Sequence, residues 1–197
     1  MNIDRIKLEF KKNGGILKTS ELSGVGISSR QIKKLLDEGV IKKIKYGYYE
    51  LSEHIPSEEV VIARLFPNAV IFLESALVHY GYTDRIPSAW QIAVNKNSEK
   101  SQYKTEFYSI EPYYLEPKFI GVGIDRFKLD GITINIYDRD RTICDVLRYE
   151  KKIEKEVFSN ALTRYLKDQE KNIRKLYEYA EVFNIKNKVQ TYIGVWL

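Results

Sequence analysis

The order of amphipathic runs and glycines in the first 52 residues constrains the fold more than any other feature of the chain. Apolar residues at helical spacing, such as Ile3, Ile6 and Phe10, alternate with glycines that can end each run. Ser28 can cap a helix, and two β-prone runs flank Gly47 and predict a hairpin. The predicted helices span residues 2–12, Ser20–Ser23 and Ser29–Glu38, and the predicted hairpin strands span Val40–Ile44 and Tyr46–Leu51. This order is typical of a winged helix-turn-helix domain.

The charge distribution adds a functional expectation to this fold. Residues 1–52 hold eleven basic and six acidic residues, whereas residues 53–197 hold 21 of each, so the first segment carries the whole net charge of +5. Such segregation indicates a polyanionic partner and predicts double-stranded DNA. The predicted DNA-binding residues on the third helix and the hairpin are Ser28, Ser29, Arg30, Lys33, Lys34, Lys42, Lys43, Lys45 and Tyr46. Two alternatives remain, a solvated basic face and a winged helix that binds protein.

Residues 57–197 are predicted to form a second domain after a polar linker. The predicted strands are Trp90–Val94, Thr105–Ile110, Phe119–Val122, Arg126–Leu129 and Ile132–Tyr137, with a short strand or helix approach at Ala69–Phe72. The predicted helices are Glu58–Phe66, Glu74–Tyr80, Thr142–Tyr149, Glu154–Lys167 and Gln169–Phe183, with a last short helix from about Ile185 to Val195. The predicted fold class is therefore α+β, with a winged helix-turn-helix over 1–52 followed by a mixed domain of antiparallel sheet and C-terminal helices.

Composition excludes several classes of protein. The single cysteine, Cys144, rules out an internal disulfide and a cysteine-rich metal site. No apolar run approaches the roughly 18 residues that a membrane-spanning helix needs, and the charged N-terminus is unlike a secretory signal. We therefore expect a cytoplasmic protein with no membrane partner, no metal and no cofactor.

The densest charged cluster in the second domain admits two interpretations. It consists of Asp138, Arg139, Asp140, Arg141 and Asp145. As a functional surface, it would contact a toxin or a nucleic acid. As a structural feature, Asp138 or Asp140 would cap the following helix, and Arg141 and Asp145 would pair on its surface.

A short motif further along the chain bears on whether the chain is an enzyme. The motif Glu116-Pro117-Lys118 resembles the end of a metal-dependent nuclease motif, but its proline fits a strand poorly. No catalytic residue is assigned.

Several segments resemble, in their order, the AbiEi family of antitoxins. They are Gly15–Leu22, Ile27–Gly39, Lys45–Tyr49, Phe72–Leu77 with Tyr80-Gly81-Tyr82, and Tyr137–Asp145. The similarity runs over most of the chain, and no single segment is diagnostic. It implies an antitoxin and transcriptional autorepressor of a type IV toxin–antitoxin operon that aborts phage infection.

The resemblance also implies a division of labour. The winged helix would bind inverted repeats in the operon's own promoter. The C-terminal domain would neutralise a nucleotidyltransferase-like toxin with which it need not form a stable complex, and it would have no enzymatic activity. Two alternatives stay open. The C-terminal domain could be an enzyme that modifies the toxin or a nucleic acid by phosphoryl transfer or hydrolysis, or it could bind the toxin directly in a chain that does not bind DNA.

Overall fold

The computed structural model describes residues 3–196 and has a mixed α+β fold. The N-terminal elements are α1 (Ile3–Lys12), β1 (Ile16–Lys18), α2 (Thr19–Gly24), α3 (Ser29–Asp37), β2 (Ile41–Lys45), β3 (Tyr48–Leu51) and α4 (Glu58–Leu65). The following elements are β4 (Val70–Ile71), α5 (Leu73–His79), β5 (Trp90–Asn95), β6 (Ile110–Leu115), α6 (Pro117–Ile120), β7 (Ile124–Leu129) and β8 (Ile132–Tyr137). The C-terminal helices are α7 (Arg139–Arg148), α8 (Lys155–Lys167), α9 (Ile173–Val182) and α10 (Lys186–Tyr192).

The chain divides into two compact units whose boundary differs from the predicted one. The first unit combines residues up to Asn68 with Ser101–Ser109 and Arg126–Ile134, and the second unit contains the rest. Helix α4, which the prediction placed in the 57–197 domain, therefore belongs to the first unit. One contact shows how the separate stretches meet. A Cβ on Gly14 would lie 2.5 Å from Val60 and 2.9 Å from Ile132, so only a glycine fits between them.

In the first unit, α1, α2 and α3 pack on a three-stranded sheet of order β1-β3-β2. Strand β3 pairs antiparallel with both neighbours. The buried side chains of its core are Ile6, Phe10, Leu17, Leu22, Ile27, Ile32, Leu35, Ile41 and Leu51. The helical periodicity correctly predicts most of its positions, but Ile3 is exposed and Leu36 is only partly buried. The first predicted helix is confirmed from Ile3 onward, residue 2 lying outside the described residues, and the hairpin is also confirmed. Strand β1 was predicted only as an apolar link.

The five-stranded sheet is mixed, which corrects the prediction of an antiparallel sheet. Its order is β6-β5-β4-β8-β7. Strands β4 and β5 are antiparallel, but β5 pairs parallel with β6 and β4 pairs parallel with β8. The long connection between Asn95 and Ile110 allows β6 to return in the same direction as β5, which a tight hairpin cannot do.

Two predicted strands are absent from their positions. At Thr105–Ile110 the chain turns instead, because Thr105 Oγ1 accepts the backbone N–H groups of Phe107 and Tyr108 at 3.3 and 3.0 Å. At Phe119–Val122 the chain follows the short helix α6, which has Pro117 in its first turn. Proline favours the first turn of a helix because its φ is already set and its missing N–H has no helical partner there.

The C-terminal helices confirm the predicted helical periodicity. They pack with the sheet around a core in which Phe72 contacts the rings of Tyr113, Tyr137 and Tyr149 at centroid distances of 4.9–5.8 Å. None of the helices within residues 3–196 combines the length and apolar character needed to cross a bilayer.

Candidate nucleic-acid interface

Helix α3 is held in place by its N-terminal cap and by its buried face. The backbone N–H of Gln31 donates to Ser28 Oγ at 3.4 Å, and the N–H of Ser28 donates to Gln31 Oε1 at 2.8 Å. This reciprocal pair is a capping box, and it confirms Ser28 as the predicted cap. Ile32 and Leu35 are buried beneath the helix. The opposite face of α3 is therefore fixed toward solvent.

Two cations on that outer face have no partner in the part of the chain that the structure describes. Arg30 and Lys33 are exposed, and no residue among 3–196 lies within hydrogen-bond or ion-pair distance of either side chain. Lys34, also exposed, lies 3.6 Å from Glu38 Oε1 in a solvent-accessible pair. Ser29 is exposed at the start of the same helix. Arg30 and Lys33 are therefore the cations of α3 most available to an external anion.

The hairpin presents a second set of cations, which differ in how far their charges are balanced by neighbouring side chains. Lys42 Nζ lies 2.9 Å from the Oε1 atom of Glu50, whose side chain is buried, so its charge is partly balanced. Lys43 lies over the ring of Tyr46 at 5.3 Å from the centroid, and Tyr46 is 89% exposed. Lys43 and Tyr46 thus form a cation–aromatic pair that faces solvent.

Lys45 differs from the other predicted DNA-binding residues because its ammonium group already has partners. It donates to the carbonyl of Gln102 at 2.5 Å and lies 4.3 Å from the ring centroid of Phe66. Burial lowers the pKa of Lys45. Its role within the first unit is to hold residues 101–109 against the hairpin, so its charge is not available to DNA in the way that was predicted.

In the second unit, Asp138 caps α7 as predicted. Its Oδ1 accepts the N–H of Arg141 at 2.8 Å, and its Oδ2 accepts the hydroxyl of Tyr179 at 2.8 Å. Arg141 and Asp145 form the predicted pair at 2.7 Å, but both are fully buried instead of lying on the helix surface. The predicted cluster of five residues is therefore not a continuous surface.

The buried arginine explains why the cluster lies inside. Arg141 Nη1 donates to the carbonyls of Phe119 and Val122 at 3.0 and 2.7 Å. Its guanidinium carbon lies 4.2 and 4.1 Å from the ring centroids of Tyr137 and Phe183. Nε and Nη1 of the guanidinium group are thus paired, whereas no residue among 3–196 accepts a hydrogen bond from the buried Nη2.

Asp140 is buried as well, which leaves two members of the cluster in contact with solvent. Its Oδ1 accepts the hydroxyl of Tyr165 and the N–H of Asn172, each at 2.8 Å, and burial raises its pKa. Asp138 and Arg139 remain half-exposed. Asp140, Arg141 and Asp145 therefore cannot be part of a surface that contacts a partner.

Sequence reasoning missed a residue that supports the interface. Arg64 on α4 donates to the carbonyl of Ile16 at 3.0 Å and to Glu21 Oε2 at 2.5 Å, and it joins α4 to α2 and β1. Burial raises the pKa of Glu21, but its bonds to Arg64 and to the N–H of Lys18 outweigh that effect and lower the pKa overall. The sequence gives no local signal for a pair separated by so many residues.

Comparisons with protein-family models and with curated proteins find no match for this chain. Among residues 3–196, no three or more His, Cys, Asp or Glu residues are grouped so that they could hold a metal ion. The interpretation of the interface therefore depends on its geometry and charge.

Proposed function

We propose that the first unit contains a winged helix that binds duplex DNA. In this proposal α3 enters the major groove, and the β2–β3 hairpin is the wing that lies along the phosphate backbone. The observation that carries the proposal is the pair of exposed cations Arg30 and Lys33, which have no partner within residues 3–196, on a helix whose orientation is fixed by its cap and its buried face. Arginine and lysine in this position can bind guanine edges and phosphates. Lys43 and Tyr46 extend the positive surface onto the wing.

We further propose that the chain is an antitoxin and autorepressor of the AbiEi type. The ordered resemblance of its segments supports this, as does the concentration of positive charge in residues 1–52. One recognition helix reads only a few base pairs, so useful specificity requires two copies on inverted repeats of the operon's promoter. The second unit then neutralises a nucleotidyltransferase-like toxin.

The DNA-binding half of the proposal is tested by gel-shift titration of the full chain with a fragment of its own promoter. Arg30→Ala and Lys33→Ala should each weaken binding by about tenfold, because each removes a contact worth about 1–3 kcal/mol. Lys167→Ala is the matched control, since Lys167 is an exposed lysine of the second unit. Equal affinities for all three variants and the unchanged chain would refute DNA binding by α3.

The antitoxin half has its own test. A host expressing the nucleotidyltransferase-like product of the neighbouring reading frame should recover growth when the full chain is co-expressed from an unrelated promoter. The Arg30→Ala variant should restore growth equally well, because DNA contact and neutralisation are assigned to different units. No recovery with the unchanged chain would refute the antitoxin assignment.

A further inference from the structure

Residues 101–109 return to the β2–β3 hairpin within the first unit and enclose a groove with it. The groove has a volume of about 790 Å³, within the range of small-molecule sites. The side chains that matter to its chemistry are Lys43, Lys45, Tyr46, Lys104, Glu106 and Phe107. None of the sequence motifs that predict DNA binding includes Lys104 or Phe107.

The groove is preformed by contacts on both of its sides. Lys45 holds the carbonyl of Gln102, and Thr105 organises the turn that carries Phe107. The hydroxyl of Tyr108 donates to Glu50 Oε2 at 3.4 Å, which joins the same segment to β3. A ligand would therefore find the groove already shaped, with little ordering cost.

The chemistry of the groove combines positive charge with exposed aromatic rings. Its lining includes three lysines and one carboxylate, that of Glu106. Phe107 is 62% exposed and Tyr46 is 89% exposed, so both rings line the groove with faces that a planar ligand could reach. Aromatic faces next to lysines are the features with which proteins hold an unpaired base and its phosphate.

We propose that this groove binds a nucleotide, with the base on the ring of Phe107 and the phosphate held by Lys43 and Lys104. The same chemistry has two sources, a free nucleotide and an unpaired nucleotide within a single strand. Because Lys43 and Tyr46 also belong to the wing, a bound nucleotide would compete with duplex DNA. That last consequence depends on the proposed DNA-binding function, whereas nucleotide binding itself does not.

The test is a fluorescence titration of the full chain with an N-methylanthraniloyl derivative of ADP in the absence of DNA. Saturable binding is expected, and unlabelled ADP should displace the probe. Phe107→Ala should weaken binding about tenfold, since stacking of one base contributes about 1–3 kcal/mol. Lys104→Ala should weaken binding of ADP several-fold but leave binding of adenosine unchanged. Short single-stranded oligothymidylate, used as a second ligand, distinguishes the two sources.

The controls separate the groove from a general effect of the substitutions. Ile86→Ala removes an even more exposed apolar side chain from the second unit, and Lys167→Ala removes an exposed lysine there. Both should bind like the unchanged chain, and thermal unfolding should show that Phe107→Ala remains folded. Binding of oligothymidylate alone, with the same dependence on Phe107, would support the strand as the source.

Three outcomes would overturn the proposal. They are no saturable binding of either ligand, unchanged affinity in Phe107→Ala, and displacement of the probe by inorganic phosphate as effectively as by ADP. Because the titration contains no DNA, its failure is distinct from a failure of the gel-shift experiment.

Discussion

Helices α3 and α7 begin in the same way, but α3 exposes its arginine to solvent whereas α7 buries its arginine in the core. Each starts after a side-chain cap, Ser28 or Asp138. In α3, Arg30 is exposed and unpartnered, whereas in α7 Arg141 is fully buried in an ion pair and between two aromatic rings. The difference lies in the residue four positions later, which is Lys34 after Arg30 and Asp145 after Arg141. A charged helix can therefore present its arginine to solvent or bury it in the core, and in the buried case an oppositely charged residue follows one turn later.

Of the substitutions that test the contrast between the two helices, Arg141→Ala should cause the largest loss of stability. This change leaves Asp145 buried with one fewer partner and removes a donor from two carbonyls. We expect the free energy of unfolding to fall by about 3–5 kcal/mol, the usual cost of breaking a buried ion pair. Arg30→Ala should change it by less than about 0.5 kcal/mol. Urea denaturation followed by circular dichroism measures both, and similar losses for the two variants would contradict the contrast.

The glycines next to the two arginine-bearing helices provide the second test. Gly26 and Gly123 both have a positive φ, of +84° and +74°. A Cβ at Gly123 would lie 2.7 Å from Cβ of Arg141, whereas nothing lies within 4 Å of one at Gly26. Gly26→Ala should cost about 1–2 kcal/mol of backbone strain. Gly123→Ala should cost about 3 kcal/mol, since steric overlap is added to that strain. Equal shifts in denaturation midpoint would show that Arg141 can move aside.

Substitution of the two capping residues should also destabilise α7 more than α3, but by a smaller margin. Ser28→Ala removes one capping bond and should cost about 1 kcal/mol. Asp138→Ala also removes the acceptor for Tyr179 and should cost about 2 kcal/mol. Asp138→Asn is the matched control, because asparagine also caps helices well. Thermal unfolding of the three variants is the measurement, and a larger loss for Ser28→Ala would reverse the expected order.

The smallest expected effect concerns pH and the half-buried pair of Glu21 and Arg64. Because the pKa of Glu21 is lowered in the folded protein from its ordinary value of 4.5, the pair stabilises the fold above that pH. This contribution is lost as pH falls through the lowered pKa. On acidification from about pH 6 to about pH 3, the Glu21→Gln variant should therefore lose less stability than the unchanged chain. The difference between the two losses should be less than about 1 kcal/mol. Parallel pH profiles of the melting temperature would contradict this role.

Local features of the first unit were predictable from the sequence because they depend on neighbouring residues. The Ser28 cap, the buried Ile32 and the hairpin around Gly47 all follow from spacing within a few positions. The DNA-facing role of Arg30 and Lys33 remains a prediction, although their exposure agrees with it.

Non-local features were not predictable in the same way. The parallel pairing of β5 with β6 depends on the path of a long connection, and the bridge from Arg64 to Glu21 depends on how distant elements meet. The burial of Arg141 was missed because a run of charges in a sequence normally indicates solvent. The hydrogen bond from Lys45 to the carbonyl of Gln102 was missed because Gln102 lies in a segment predicted to belong to another domain.

The position of Gly14 between Val60 and Ile132 has consequences for folding during translation and for gene fusion. The first unit is completed only when Ile132 has emerged from the ribosome, long after its three N-terminal helices have been synthesised. Until then, Gly14 lacks one of the two side chains that enclose it. For the same reason, a gene fusion that transferred only the first 52 codons would carry α3 without Val60, Arg64 and Ile132, which contact other elements of the same unit.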